Sequence, residues 1–317
     1  MRLTLITTAL LGATTLSAGA ATLSGSTGYA LRNNGMELTI FNDLGMASQG
    51  STITLSDSLN AITYRPVTGE LYGYQTGNGG AADQVYTIDT ITGALTNTGA
   101  MPMDGAGLSS GARVGFDFNN QIDAARAVST RDENVVFFPS DFPDERANTI
   151  LQFTNLFYAA GDANEGVNPR VFANAYTNAV DGMTASETLQ YALDANTNSL
   201  VTLANNAGTL ETVAPITVDG QVLNFTQNGG FDILSDEEGD NLAVALLSGG
   251  GKTGLYTIDL TDGSAVFFGE SLGGQFASFT AQTGPMPAPV PLPAGLPLLV
   301  AGLGAFGAFR AFGRKSA

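Results

Sequence analysis

The stretch YTIDTITGAL, Tyr86–Leu95, decides the fold. Tyr86 and Ile88 lie two residues apart, so an extended chain places both on one face. Asp89 then ends the strand, because its carboxylate accepts hydrogen bonds from the amides of a following turn. Gly93 supplies the left-handed backbone that a tight reversal requires. Leu95 begins the return. These ten residues predict a β-hairpin.

The wording recurs. YALDANTNSL from Tyr191 and YTIDLTDGSA from Tyr256 align with it without gaps, with Asn198 where the others have Gly. ITYRPVTGEL from Ile62 also fits, with Arg65 in the Asp position. FDFNNQIDAA from Phe116 and FDILSDEEGD from Phe231 share the opening more loosely. One hairpin cannot bury its apolar face alone, so several must pack together. The pairs beginning at 62 and 86, and at 231 and 256, are offset by 24 and 25 residues. Two hairpins then make a unit of about fifty residues, the size of a four-stranded propeller blade. The expectation is an all-β, propeller-like ring of five or six blades, with a β-sandwich or β-solenoid as the alternative. A ring also disposes of exposed strand edges. The poorly repeating Phe157–Arg170 segment reads as a long loop or an insertion.

The composition limits the chemistry. Of 317 residues, 44% are apolar, 40 are Gly, and Cys, His and Trp are absent. Without Cys or His there is no disulfide, no thiolate nucleophile, no Ser-His-Asp triad and no His-ligated zinc. Twelve basic residues face 29 acidic ones. Arg2, Arg310, Arg314 and Lys315 sit at the ends, so the body between carries a surplus of 21 negative charges. Such a surface repels nucleic acid and anionic lipid.

Both ends read as addresses. Arg2, the apolar run Leu3–Leu16 and the small residues Ala18, Gly19 and Ala20 form a secretory signal pattern over 1–21, a substrate for signal peptidase. At the other end a Pro-rich linker, 283–289, leads to a final segment, 290–317. There Pro291–Phe309 is a 19-residue uncharged run, close to the ~20 residues of a spanning helix. Arg310, Arg314 and Lys315 follow on the side expected to stay cytoplasmic. Val290, Pro291, Leu292, Pro293 and Ala294, then the apolar run and the basic cluster, closely resemble a VPLPA-type PEP-CTERM sorting signal. That resemblance implies an exosortase-type membrane transpeptidase as partner, transient residence in the inner membrane, and a processed product on the cell surface or in the extracellular matrix.

The body, 22–282, is the expected repeat domain, and from about Ser24 to Gln282 it resembles the bacterial family of domain of unknown function 4394. The matching stretches are ITYRPVTGELYGY, VGFDFNNQIDAARAVS, AYTNAV, GFDI and GLYTIDLTDGSAVFFG. The resemblance implies a propeller-like fold and supplies no catalytic residue. Asn120 stands where the family wording has Pro, which should loosen one turn.

No catalytic, cofactor-binding or metal site is assigned from the sequence. Carboxylates are the plentiful reactive groups, and a glycosidase needs two of them across a cleft. Asp141, Asp144 and Glu145 lie in a Pro-punctuated loop but read as a solvated acidic loop. No cofactor is expected. Calcium is the alternative: Asp194, Asn196 and Asn198, or Asp236, Glu237, Glu238 and Asp240, echo alternating oxygen ligands, yet lack full calcium-loop spacing. Arg113, Arg126 and Arg131 should pair with nearby Asp117, Asp123 and Asp132, with recognition of a carboxylated sugar or substrate acid as the alternative. Tyr72, Tyr74, Phe116 and Phe118 alternate as core residues do. Function is expected to be non-enzymatic binding of an extracellular polymer, protein or cation, with a carboxylate-based hydrolase of extracellular polysaccharide as the alternative.

Overall fold

The computed structural model describes residues 22–249, 251–269 and 272–284. The signal and cleavage residues Ala18 and Ala20, the motif Val290–Ala294, and Arg310, Arg314 and Lys315 lie outside them. Strands β1 (Thr27–Arg32), β2 (Glu37–Phe41) and β3 (Ser51–Thr54) begin the first blade. The second is β4 (Ala61–Arg65), β5 (Glu70–Gln75), β6 (Gln84–Ile88) and β7 (Leu95–Asn97). After β8 (Met101–Pro102), the third holds β9 (Val114–Asn119), β10 (Ala124–Ser129), β11 (Asn134–Phe138) and β12 (Thr149–Gln152). After β13 (Phe157–Tyr158), the fourth holds β14 (Val171–Tyr176), β15 (Gln190–Asp194), β16 (Ser199–Leu203) and β17 (Thr209–Pro215). A small hairpin, β18 (Thr217–Val218) and β19 (Gln221–Val222), leads to the fifth. That blade is β20 (Phe225–Leu234), β21 (Leu242–Gly249), β22 (Lys252–Ile258) and β23 (Ala265–Phe267). The last strand, β24 (Phe276–Gln282), pairs antiparallel with β1 and completes the first blade in the order β24-β1-β2-β3.

The innermost strands β24, β4, β9, β14 and β20 pack each on the next and close a ring. The fold is a five-bladed β-propeller, sealed by pairing the last strand with the first. The sixth blade, the sandwich and the solenoid are set aside. The Phe157–Arg170 segment builds no blade: its β13 adds a parallel strand to β17, and the rest turns back toward β14.

Every sequence repeat is a hairpin, but the repeats mark turns rather than blade positions. Tyr86 and Tyr256 begin the third-to-fourth-strand hairpins of their blades, whereas Tyr191 lies in a second-to-third-strand hairpin. The Tyr191 copy is therefore not at the equivalent sheet position that the alignment suggests. The reason is local chemistry. One four-residue turn, in which the last strand carbonyl accepts from a residue of positive φ four positions on, closes hairpins of different rank. Gly93 donates to the Asp89 carbonyl, Gly263 to Asp259, Gly69 to Arg65, and Asp123 to Asn119, at 2.8–2.9 Å. The φ values are 75°, 71°, 77° and 54°. The Asn119–Asp123 turn, expected to be loosened by Asn120, is as tight as the others.

Gly93 has a second reason to be Gly. A Cβ there would lie 2.0 Å from the Thr54 carbonyl, because the link from the first blade runs against this turn. Ser56 N–H donates to the Gly93 carbonyl at 2.9 Å. The same latch recurs, as β8 runs parallel to β12, β13 to β17, and Thr217 bridges Ser264. Each of these four outgoing links thereby ties its blade to the outer part of the next. Between blades the apolar faces interdigitate, with Tyr72 on Phe118 and Tyr74 on Phe116, ring centroids 5.3 Å apart, as core residues.

Candidate functional site

The inner strands end together, and the loops at these ends form the face that carries the site. A belt of side chains near the axis holds the strands in step. Asp117 accepts the Tyr176 amide at 2.8 Å and the Thr63 hydroxyl at 3.1 Å. Asp232 accepts the Ala281 amide and the Thr280 hydroxyl, both at 2.6 Å, and the Thr280 oxygen in turn accepts the Tyr64 amide at 3.0 Å. The three amide bonds each satisfy an inner-edge N–H that no further strand can reach. Burial pushes the Asp117 carboxyl well above the usual range, and the charge of Asp232 adds to the effect. Burial raises Asp232 as well.

A 13-residue loop, 177–189, lies across this end of the ring and touches every other blade. Gly182 N–H donates to the Pro66 carbonyl at 2.8 Å, and Ala185 N–H to that of Asn120 at 3.0 Å. The Asn120 side chain returns a bond to the Asn178 carbonyl at 2.9 Å. Ser186 bonds Glu238 through amide and hydroxyl, and Thr283 donates to Asp181 at 3.1 Å. The Asp181 residue is exposed, but its carboxylate turns down toward Thr283 and Tyr64, and desolvation raises it to about 6.

Two grooves open beside the second blade. The larger, about 410 Å³, lies between this blade and β1 and is lined by Tyr29, Tyr64, Gly69–Leu71, Thr87–Ile91 and Thr96. The smaller, about 290 Å³, lies toward the third blade and is lined by Arg65, Glu70, Tyr72, Thr87, Thr96–Thr98, Phe137, Ser140 and Asp141. Glu70, Thr87 and Thr96 form the wall they share. A third cavity, about 350 Å³ around Asn60, Gln75 and Asn78, has no charged lining residue.

Arg65 anchors the site from below. Its side chain is 4% exposed. It bonds both oxygens of Asp123, one at 2.8 Å, and both oxygens of Asp141 at 2.9 Å, and stands over the Phe118 ring. Burial opposes its charge, but Asp123 and Asp141 outweigh that and hold the guanidinium above its ordinary value. Glu70 is half exposed, 3.9 Å from Arg65, and one of its oxygens accepts from Thr68 and Tyr72. Among the described residues nothing bonds the other oxygen. The site is thus carboxylates and hydroxyls over a buried cation, suited to hydrogen-bonded recognition of a polyhydroxylated ligand.

The residues singled out from sequence scatter. Asp141 lines the smaller groove, whereas Asp144 is taken by Arg146 at 2.5 Å, and Glu145 lines neither groove. Asp194 is fully buried and accepts from Tyr158, Arg170 N–H and Asn196 N–H, while Asn198 accepts from Phe225 N–H. Their oxygens lock a turn. Glu238 of the second acidic run holds the 177–189 loop. Among the described residues no group of three or more acidic side chains is arranged to hold a metal ion. The expected arginine pairings do not form. Arg126 bonds the Tyr176 hydroxyl, Asn134 and Asn206, and among the described residues Arg113 and Arg131 make no ion pair. Asp123 belongs to Arg65 because the turn of Asn119–Asp123 abuts the end of β4. Arg65 and Glu70 were missed, although Arg65 breaks the Asp pattern of the repeat.

No curated protein matches this chain. Among solved structures, a protein of unknown function from Bacteroides thetaiotaomicron is 13% identical with TM-score 0.45, covering 78% of this chain and 56% of that one. The extracellular domain of a putative one-component system from the same organism is 9% identical with TM-score 0.40, covering 82% and 32%. A functionally unknown protein from Desulfotomaculum acetoxidans is 12% identical with TM-score 0.37, covering 78% and 67%. The chain thus spans about half or less of the first two. No helix among the described residues is long and apolar enough to cross a membrane. The model of the family described as a domain of unknown function (DUF4394) matches residues 42–280, and the chain belongs to that family.

Proposed function

We propose that this is an exported, surface- or matrix-associated propeller that binds an extracellular polysaccharide in the paired grooves of the second blade without cleaving it. The observation that carries this reading is the pair of adjoining polar concavities sharing the Glu70–Thr87–Thr96 wall, a shape that receives successive units of a chain. Export rests on the signal pattern at 1–21. Retention rests on the VPLPA-type segment, processed by an exosortase-type enzyme. Calcium and nucleic acid have no part in the reading.

A hydrolase is the second reading, favoured by Glu70 and Asp141 lining one groove. Against it, the lone pairs of Asp141 are engaged by Arg65 rather than directed at a substrate. One experiment separates the two. The purified 22–284 domain is incubated with a panel of neutral, amino and uronic oligosaccharides, and both retention and new reducing ends are measured. Retention without new ends is expected. Reducing ends that vanish in Asp141→Asn establish the hydrolase, and retention of no glycan refutes both readings.

A further inference from the structure

Resting on the polysaccharide reading, we infer that the ligand is a glycan bearing protonated amines, and that Glu70 is the residue that selects it. The larger groove has two carboxylates, Glu70 and Asp89, and no Lys or Arg in its lining. One oxygen of Asp89 is committed to its own turn, accepting the amides of Ile91 and Thr92 at 2.8 and 2.9 Å. The one cation of the smaller groove, Arg65, is committed to Asp123 and Asp141. A carboxylated sugar entering either groove meets anions with no free cation to answer it.

Glu70 differs from Asp89 in position, since it alone of the two lines both grooves. It stands on the shared wall with a side chain 49% exposed, and only one of its oxygens is occupied, by Thr68 and Tyr72. The other oxygen is available to a donor lying in either groove. A ligand ammonium fits this role, since a charge-assisted bond is about twice as strong as a neutral one. Tyr29, Tyr64 and Tyr72 are at most 8% exposed, so they offer no open stacking face. Thr87, Thr90 and Thr96 add further hydroxyls. The lining therefore reads the hydroxyls of a sugar ring and one positive charge. The surplus of 21 negative charges over the whole body attracts such a polymer from a distance, an effect that salt weakens.

The test is calorimetric titration of the 22–284 domain at pH 6 and low salt with a fully deacetylated glucosamine hexamer. Its N-acetylated counterpart, a neutral glucan hexamer, a galacturonate hexamer and hexalysine serve as comparisons. The deacetylated hexamer is expected to bind at least tenfold more tightly than the other glycans. Glu70→Gln, which keeps the shape of the wall, should remove most of that advantage while leaving the N-acetylated affinity within twofold. Thr87→Ala should weaken both glucosamine ligands alike. Unchanged affinity of the deacetylated hexamer in Glu70→Gln, or preference for galacturonate, overturns the inference. Hexalysine binding as tightly as the amino sugar overturns it too, since charge alone would then suffice. Equal binding of all neutral and amino glycans sinks the inference and leaves the polysaccharide reading intact, whereas binding of no glycan sinks that reading itself.

Discussion

Replacing Arg65 with Met is expected to lower the melting temperature by about 5–10 °C. The side chain is buried at the end of β4, where its guanidinium gathers Asp123 and Asp141 and donates to the Tyr72 hydroxyl at 3.4 Å. Methionine fills a similar volume over Phe118 but leaves two carboxylates facing each other without a cation. Breaking a fully buried ion pair costs about 3–5 kcal/mol. Here Asp123 and Asp141 are 21% and 57% exposed, so water recovers part of the loss. A net loss of about 2–3 kcal/mol remains, worth roughly 2–4 °C per kcal/mol in a domain of this size. Arg65→Lys keeps the charge but not the two-sided fork, and should fall between the wild type and Arg65→Met. Thermal unfolding followed by circular dichroism decides it: Arg65→Met melting within 1 °C of the wild type would show that the cluster contributes nothing.

The same residue shows what the sequence could convey. Asp, Thr and Gly in YTIDTITGAL announce a turn whose hydrogen bonds are made within six residues, and local chemistry of that kind is legible. Blade rank is not local. Tyr191 and Tyr86 carry the same signal and occupy strands of different rank, because the turn is indifferent to which strands it joins. The count of five rests on β24, β4, β9, β14 and β20 closing on one another, contacts between distant parts of the chain that no local pattern encodes. The site was hidden for the same reason. Arg65 stands 58 residues before Asp123 and 76 before Asp141, and neither spacing has a period. Its one sequence mark is the break in the Asp pattern, a basic residue in an acidic body. Arg126 misled in the opposite way. Asp117 is its cross-strand partner in register, yet Arg126 reaches out to Tyr176, Asn134 and Asn206 while Asp117 caps the edge of the fourth blade.

Asp117 is also the source of the second large effect, a stability that rises as the solution becomes more acid. Asp117 and Asp232 are both buried near the axis, and none of the ion pairs formed by the described residues includes either. Burial raises both, and the charge of Asp232 raises Asp117 further. A carboxyl with a raised folded pKa binds more protons in the native state than in the unfolded chain. Its contribution is therefore fully present below the unfolded value near 4, and is lost as pH rises through the folded one. Asp132 and Asp181, both raised to about 6, act in the same direction between roughly pH 4 and 6. Asp89, Asp144, Asp162, Glu238 and Asp259 are lowered by their hydrogen bonds, so the stability they add is lost only as pH falls below about 4. The melting temperature should accordingly climb from pH 8 to pH 5 before acid unfolding begins. One group contributes at most about 1.4 kcal/mol per pH unit, or roughly 3–5 °C here. Asp117→Asn removes the axial charge and keeps an oxygen for the Tyr176 amide. Thr63, which already lies 3.2 Å from the Tyr64 carbonyl, can donate there and accept from the new amide. The variant should melt higher than the wild type at pH 8, match it near pH 5, and show a flatter profile between. A wild-type melting temperature that falls steadily from pH 8 to 5, or an Asp117→Asn profile parallel to it, would mean that the axial carboxyls are not held against ionisation by the closed ring around them.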